Sequence, residues 1–283
     1  MSKFFRTSIA TAVFAMAFGA QAQTVNNAPS FIINPNSNGL STSGEQFEAN
    51  VMNGSSSARV VSLGDNKYQS VGYIQYTGFT MNGQAVSTDY TQLGSQRFGY
   101  GLYATFTQTF SCNSLLSPGV SCGIDSINLS LFADKGFDNV FNQSTLERDA
   151  TVTTRGEQVL LGTVTRIIDG SAGISAQGGA FQNVNTNFNI TEAGSNFFVS
   201  PDPFYTFAFS SFQNTTQGLT CRNAAGQGQF ANCLGATVVA INSETGNTDF
   251  NGAPSEVPEP GALALMGLGL LGMGAYRRKR LQK

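Results

Sequence analysis

The stretch Val184-Asn185-Thr186-Asn187-Phe188-Asn189-Ile190 decides the fold class, because its apolar and polar residues alternate. Successive side chains of a β-strand point to opposite faces. The pattern therefore predicts a strand with Val184, Phe188 and Ile190 facing inward and three asparagines facing outward. The same period of two recurs through most of residues 31–241, and no long stretch there shows the 3.6-residue period of a helix. The sequence predicts an all-β body.

Other segments extend this pattern to a whole domain. Alternation predicts three further inward-facing sets: Leu102 with Phe106; Ile127, Leu129 and Leu131; and Tyr205, Phe207 and Phe209. Residues 159–168 and 236–241 are more continuously apolar, which is typical of central strands. Turns are predicted between the strands, among them Asn53-Gly54, Asn82-Gly83, Pro118-Gly119 and Asp169-Gly170. Together these features predict a single antiparallel β-sandwich or jelly-roll-like domain.

The composition restricts the chemistry of the chain. The 283 residues include 23 phenylalanines but no histidine, so Ser–His and Cys–His couples and histidine-ligated metal sites are excluded. Between Gln23 and Glu256, eight basic residues stand against sixteen acidic ones, so the body is acidic. An acidic body without a basic patch argues against nucleic-acid binding, because phosphates are bound by clustered Lys and Arg.

The N-terminus has the three parts of a secretory signal in order. Two basic residues precede an apolar run, and the small residues Ala20 and Ala22 follow it. We expect cleavage between Ala22 and Gln23, which makes residues 1–22 a signal peptide. A retained anchor is the alternative, but the apolar run is shorter than the ~20 residues that span a bilayer.

The C-terminus combines a proline-bracketed acid, an apolar segment and a basic end. Val257-Pro258-Glu259-Pro260 is followed by uncharged residues 261–276 and then by Arg277-Arg278-Lys279-Arg280. The apolar segment predicts a short transmembrane helix, with the basic tail at 277–283 on the cytoplasmic side. The body then covers residues 23–252, and a linker covers residues 253–260.

These three C-terminal parts resemble the PEP-CTERM sorting signal. The resemblance implies that the inner membrane holds the chain during export and that an exosortase cleaves it near Pro258-Glu259-Pro260. The mature protein would then reach the cell surface or the medium. An ordinary tail anchor is the alternative, although such an anchor has no need of an acid between two prolines.

Two segments of the body also resemble a subset of PEP-CTERM proteins associated with flocculation. They are Gly101-Leu102-Tyr103-Ala104 and Phe197-Phe198-Val199-Ser200-Pro201-Asp202-Pro203-Phe204-Tyr205. The resemblance implies a role in holding cells together through exopolysaccharide, and it brings no catalytic residues with it. The alternative is that the aromatic residues of the second segment are simply part of the hydrophobic core.

The four cysteines fall into two local pairs. Four cysteines allow three connectivities, and proximity favours Cys112 with Cys122 and Cys221 with Cys233. Export to an oxidising compartment favours disulfides. Free thiols or a metal site are the alternative, disfavoured because histidine is absent and neither pair has C-x-x-C spacing.

Three functions remain after these exclusions. We expect a non-enzymatic surface or matrix protein that associates with extracellular polysaccharide, with no cofactor and no metal. A lectin-like module would instead show a concave face with exposed aromatic rings and paired polar groups. A glycan-cleaving enzyme would use a carboxylate pair such as Asp134/Asp138 or Glu147/Asp149, yet both pairs lie in polar stretches where we expect solvation. Asp134, Asp138 and Asn139 also offer oxygen ligands for calcium, without the spacing of a calcium loop.

Overall fold

Nearly all regular structure in the chain is β-strand. The computed structural model describes residues 28–97, 99–214, 219–225 and 233–251. In chain order the strands are β1 (Phe31–Ile33), β2 (Phe47–Ala49), β3 (Val51–Gly64), β4 (Lys67–Met81), β5 (Gln84–Ala85), β6 (Tyr100–Cys112), β7 (Ser121–Lys135), β8 (Val140–Asn142), β9 (Thr151–Thr153), β10 (Gln158–Val164), β11 (Ile167–Ile174), β12 (Ala180–Asn187), β13 (Asn189–Ile190), β14 (Phe198–Ser200), β15 (Phe207–Gln213), β16 (Leu219–Asn223) and β17 (Ala236–Asn251). Two short helices, α1 (Thr88–Thr91) and α2 (Glu192–Phe197), and a 3-10 turn at Ser37–Gly39 complete the described elements. The predicted all-β class is confirmed.

Eight of the strands form a closed antiparallel barrel. Their order around the barrel is β3, β4, β6, β7, β11, β12, β15 and β17, which pairs again with β3. Strand β11 closes the ring, because Ala172 lies opposite Gln182 of β12 on one side and opposite Cys122 of β7 on the other. The predicted sandwich is therefore wrong. A sandwich has two open sheets with free edges, whereas pairing of β11 with β7 leaves the ring without an edge.

Bulges inside the long strands replace two of the predicted turns. Asn53-Gly54 lies within β3 at a register shift, where a Cβ on the glycine would come within 2.6 Å of the carbonyl oxygen of Gln75. Asp169-Gly170 lies within β11 beside another register shift. The predicted turns Asn82-Gly83 and Pro118-Gly119 do lie between strands. A bulge bends its strand and increases the local twist, which suits a strand that curves around a barrel.

Aromatic rings fill one end of the barrel. The ring centroid of Phe250 lies 4.8 Å from that of Phe188, 5.1 Å from that of Phe204 and 5.4 Å from that of Phe31. A separate three-stranded sheet, in the order β14-β1-β2, contributes to the same core together with α2. Tyr205 of the segment 197–205 is half-buried against this core, whereas Phe197, Phe198 and Phe204 of the same segment are buried within it. Their interpretation as core residues is confirmed.

Strand β15 faces the opposite way from its prediction. Ala208 and Phe212 are buried in the barrel core, while Phe207 and Phe209 are half-buried on the outer face. Ala208 lies opposite Phe250 and near large rings such as Phe188, so only a small side chain fits inward at that position, whereas Phe212 fits inward farther along the strand. The inward positions predicted for Val184 and Phe188 are confirmed by their burial, as are those for Leu102 and Phe106, Ile127 and Leu131.

The other end of the barrel contains the two cysteine pairs predicted from the sequence. Cys112 lies opposite Cys122 across the β6–β7 pair, with Cα atoms 4.2 Å apart, and the Cα atoms of Cys221 and Cys233 are 5.2 Å apart. Both pairs are at disulfide distance, and none of the four cysteines is free. The hydroxyl of Tyr68 also joins the loops at this end, because it accepts a hydrogen bond from the Leu116 amide at 2.9 Å.

Candidate functional site

A polar groove crosses the outer wall of the barrel where β17, β3 and β4 lie side by side next to the β8–β9 hairpin. We call it the hairpin groove, and its volume is about 700 Å³. The lining residues come from β3 (Ser55, Ser56, Ser57), from β4 (Tyr73, Gln75), from the hairpin and its connecting loop (Phe141, Asn142, Gln143, Arg148, Asp149, Thr151) and from β17 (Ser243, Thr245). Hydroxyl and amide groups predominate among them.

The hairpin loop is fixed to the barrel at Ser144. The amide of Ser144 donates to Ser57 Oγ at 3.0 Å and to Asn242 Oδ1 at 3.1 Å, and its hydroxyl donates to the Ala58 carbonyl oxygen at 2.8 Å. The side-chain amide of Asn242 donates in return to the Ser144 carbonyl oxygen at 3.1 Å. This contact sits beside a bulge in β17, where Ser243 has a positive φ of 59°. The bulge brings Asn242 to the loop and so fixes one wall of the groove.

Aromatic rings form the second wall. The centroid of Phe141 lies 5.1 Å from that of Tyr73 and 5.9 Å from that of Tyr103, and the ring of Tyr103 stacks on that of Phe132 at 5.3 Å. Burial raises the pKa of Tyr73 and raises that of Tyr103 to about 12, so both phenols stay neutral. Phe141 itself is half-buried and presents part of its ring to the groove.

In the loop that lines one side of the groove, two acidic side chains form ion pairs, and the arginine between them has no such partner in the described part of the chain. Arg59 of β3 donates to Asp149 at 3.2 Å, and Arg222 of β16 donates to Glu147 at 2.6 Å. The hydrogen bond from Arg222 lowers the pKa of Glu147. Among the described residues, the guanidinium of Arg148 between these two acids makes no ion pair. The carboxylate pair Glu147/Asp149 proposed from the sequence is thus divided between two arginines.

In the other carboxylate pair predicted from the sequence, Asp134/Asp138, the side chain of Asp134 holds the local structure together. Asp134 is only 1% exposed, and its two carboxylate oxygens accept from the Asn139 amide at 3.1 Å and from Gln158 Nε2 at 3.2 Å. Burial raises the pKa of Asp134, and Asp138 adds to that rise. Across the described residues, no group of three or more acidic or cysteine side chains is arranged to hold a metal ion.

One acidic residue, Glu244, lies in the interior of the barrel. Glu244 is buried and accepts a hydrogen bond from the Ser56 hydroxyl, and burial raises its pKa. Gln108 lies in the same interior cavity of about 30 Å³, where its side-chain amide donates to Gln182 at 2.7 Å. The volume is that of a single water molecule, so this interior offers no room for a substrate.

Sequence reasoning missed most of the groove. The residues that fix the loop, Ser57, Ser144 and Asn242, are far apart in the chain, with 98 positions between the last two. No short motif links them. The one local signal is the polar run at 142–145, directly after the apolar pair Val140-Phe141.

The terminal features predicted from the sequence lie outside the described residues. They include the cleavage site at Ala20, Ala22 and Gln23, the sorting residues Val257 to Pro260 and the basic residues Arg277 to Arg280. The short transmembrane helix predicted at 261–276 lies outside them as well. In the described part of the chain, no helix is long and apolar enough to cross a membrane.

Fold and groove together define an all-β barrel protein with two cysteine pairs at disulfide distance and a polar surface groove. The sequence model of the PEP-CTERM protein-sorting motif matches residues 256–280, which include Pro258-Glu259-Pro260 and the basic cluster at 277–280. No curated protein and no solved structure matches the chain. The chain carries a PEP-CTERM sorting signal, which implies export to the cell surface and processing by an exosortase.

Proposed function

We propose that this chain is a non-enzymatic surface or matrix protein that binds extracellular polysaccharide through the hairpin groove and promotes flocculation or biofilm aggregation. The observation that carries the proposal is the groove itself, which places a half-buried aromatic ring beside many hydroxyl and amide groups on an exported protein. Sugar rings pack on aromatic faces through their C–H surfaces, and their hydroxyls exchange hydrogen bonds with such polar groups.

The openness of the groove suits a polymer better than a small molecule. Its floor is the outer face of three neighbouring strands, and side chains such as Gln75 and Thr245 line it without a lid. A chain of sugars can therefore pass through it. Each hydrogen bond to a sugar hydroxyl contributes about 1 kcal/mol or less, so adhesion relies on many copies of the protein on one cell.

A lectin-like module that recognises a defined glycan is the second candidate. The concave shape of the groove and the ring of Phe141 at its wall favour it, because both are features expected of a carbohydrate-recognition face. The two candidates differ in selectivity, since a lectin would bind one glycan and a matrix protein would bind its own polysaccharide in bulk.

Glycan cleavage is the weakest of the three functions. Canonical glycosidases use two carboxyl groups roughly 5–10 Å apart on either side of the scissile bond. Among the residues that line the groove, Asp149 is the one acid, and it is paired with Arg59. This arrangement supports a binding role for the groove.

The proposal includes the division of the chain into processed and mature parts. Residues 1–22 would be removed after Ala22, and residues 23–252 would form the mature body. The linker at 253–260, the helix at 261–276 and the tail at 277–283 would serve sorting by exosortase at the inner membrane.

A gene replacement tests the proposed function. Deletion of the gene should leave polysaccharide synthesis intact while cells fail to aggregate, and the unaltered gene should restore aggregation. Gln143→Trp, which fills the groove from an exposed position, should not restore it. Asn128→Trp on the exposed outer face of β7 is the matched control and should restore it. Normal aggregation with Gln143→Trp at wild-type protein levels would refute the assignment to the groove.

A further inference from the structure

We propose that the hairpin groove selects a carboxylated polysaccharide, such as a chain of uronic acids, and that Arg148 binds the sugar carboxylate. The inference rests on the proposed function, because it takes polysaccharide as the ligand and adds its chemical class.

The charged residues of the loop alternate in sign along the chain. Glu147, Arg148 and Asp149 are consecutive, so Arg148 has an acid on either side in sequence. Both acids are paired with arginines of other strands, Glu147 with Arg222 of β16 and Asp149 with Arg59 of β3. Within the described residues Arg148 is left without an acidic partner, and it lines the groove.

The backbone around Arg148 is held by its own turn. Thr145 Oγ1 accepts from the amides of Glu147 and Arg148 at 3.2 and 3.0 Å, and the Thr145 amide donates to the Arg148 carbonyl oxygen at 2.9 Å. Ser144, one residue earlier, is fixed to the barrel. The arginine is thus presented from a preorganised loop, which lowers the entropic cost of binding.

The guanidinium group identifies the ligand chemistry. Its planar fork matches the two oxygens of a carboxylate, and such paired, charge-assisted hydrogen bonds are about twice as strong as neutral ones. The body as a whole has eight basic and sixteen acidic residues, so it repels polyanions at long range. Attraction of an acidic chain therefore depends on a local site.

Uncommitted polar groups around Arg148 suit the hydroxyls of the same sugar chain. The side chains of Gln75, Gln143, Ser243 and Thr245 line the groove and form no hydrogen bond with another described side chain or backbone group. Phe141 provides the apolar surface for a sugar ring. Among the described residues, the groove thus combines the unpaired guanidinium of Arg148, the rings of Phe141 and Tyr73 and several free donors and acceptors, while its one acid, Asp149, is paired with Arg59.

The test compares two forms of one polymer. Full secreted protein is titrated with polygalacturonate and with its methyl-esterified form, in which the backbone is the same and the carboxylates are masked. Wild-type protein should bind polygalacturonate at least about tenfold more tightly, in keeping with a charge-assisted pair. Arg148→Gln should remove that preference, so that the two polymers bind to the variant with similar affinity.

Two further variants control for charge and geometry. Arg166→Gln removes an exposed arginine in the connection between β10 and β11, which does not line the groove, and should keep the preference. Arg148→Lys keeps the charge but loses the fork, so it should keep only part of the preference. Circular dichroism confirms that each variant is folded.

The outcomes separate the two proposals. Equal binding of both polymers by wild type, or a preference that survives Arg148→Gln, overturns the carboxylate inference and leaves polysaccharide binding in place. Absence of binding to either polymer and to the cell's own polysaccharide overturns both.

Discussion

The contact between Asn242 and the hairpin loop gives the sharpest test of how the groove is built. Asn242→Ala removes the hydrogen bonds that Asn242 Oδ1 accepts from the Ser144 amide, the Ser144 hydroxyl and the Ser57 hydroxyl. It also removes the hydrogen bond that the Asn242 side-chain amide donates to the Ser144 carbonyl oxygen at 3.1 Å. Ser144 is buried, so its carbonyl oxygen loses its partner in a site that is poorly hydrated. The Ser144 amide and hydroxyl keep Ser57 and Ala58 as partners, so the main cost comes from the Ser144 carbonyl oxygen. We expect the free energy of unfolding to fall by about 2–3 kcal/mol, since that hydrogen bond contributes ~1 kcal/mol and leaving a buried acceptor unpaired costs about 1–2 kcal/mol more.

The loss should be local as well as global. Amide hydrogen exchange at residues 142–149 should become faster in Asn242→Ala, because the loop is no longer fixed to β17. The free energy is measured by urea unfolding followed through tyrosine fluorescence, since the chain has eight tyrosines and no tryptophan.

A matched asparagine controls for the loss of an amide as such. Asn183→Ala removes one hydrogen bond, from Ser211 at 2.7 Å, on another part of the barrel surface, and should cost about 1 kcal/mol without changing exchange at 142–149. If Asn242→Ala lowers the free energy of unfolding no more than Asn183→Ala does, and amide exchange at 142–149 is unchanged, Asn242 does not fix the hairpin loop as we infer.

Three other predictions concern the core, the pH response and sorting. Phe250→Ala should lower the free energy of unfolding by about 3–5 kcal/mol, because the ring is buried among four others. Phe209→Ala on the outer face should lower it by about 1 kcal/mol. Similar losses for the two variants in urea unfolding would contradict the assigned facing of β15 and β17. Burial raises the pKa of Asp249 from 3.8 to about 6, so the stability linked to this group is present below pH 3.8 and is lost as the pH rises through 6. Asp249→Asn should remove that loss. A melting temperature that falls equally in wild type and in Asp249→Asn between pH 4 and 7 would contradict this prediction. Replacing Pro258-Glu259-Pro260 by three alanines should leave the longer form of the protein in the inner membrane, whereas its unchanged release into the medium would show that another element is recognised.

Local alternation predicted the strands, but it could not predict how they close. Val184 and Phe188 face the core as their pattern indicates, because burial of one strand face is encoded within a few residues. The ring is closed by contacts between Ala172 and Cys122, fifty positions apart, which leave no periodic trace. The alternating pattern of this sequence therefore fits a sandwich and a barrel equally well.

The errors at single residues have physical causes of the same kind. Phe207 and Phe209 are two positions apart, as inward residues of a strand should be, yet Phe188, Phe204 and Phe250 already fill the interior at that level. Asn53-Gly54 has the composition of a turn but occupies a bulge, because the backbone of β4 approaches too closely for a side chain. Packing against distant segments decided both outcomes.

The groove was the least predictable feature. Its lining residues come from four separate parts of the chain, and most are Ser, Thr, Asn or Gln, which are common throughout this sequence. Among the features that bear on function, the sorting signal could be identified from the sequence, because its parts are contiguous at the C-terminus.

Binding of the cell's own polysaccharide by the secreted protein tests the central claim most directly. Protein purified from the medium is sedimented with polysaccharide isolated from the same cells, and the bound fraction is compared for wild type, Gln143→Trp and Asn128→Trp. The groove account predicts that wild type and Asn128→Trp cosediment equally and that Gln143→Trp stays in the supernatant. Equal cosedimentation of all three proteins, or of none, would contradict it.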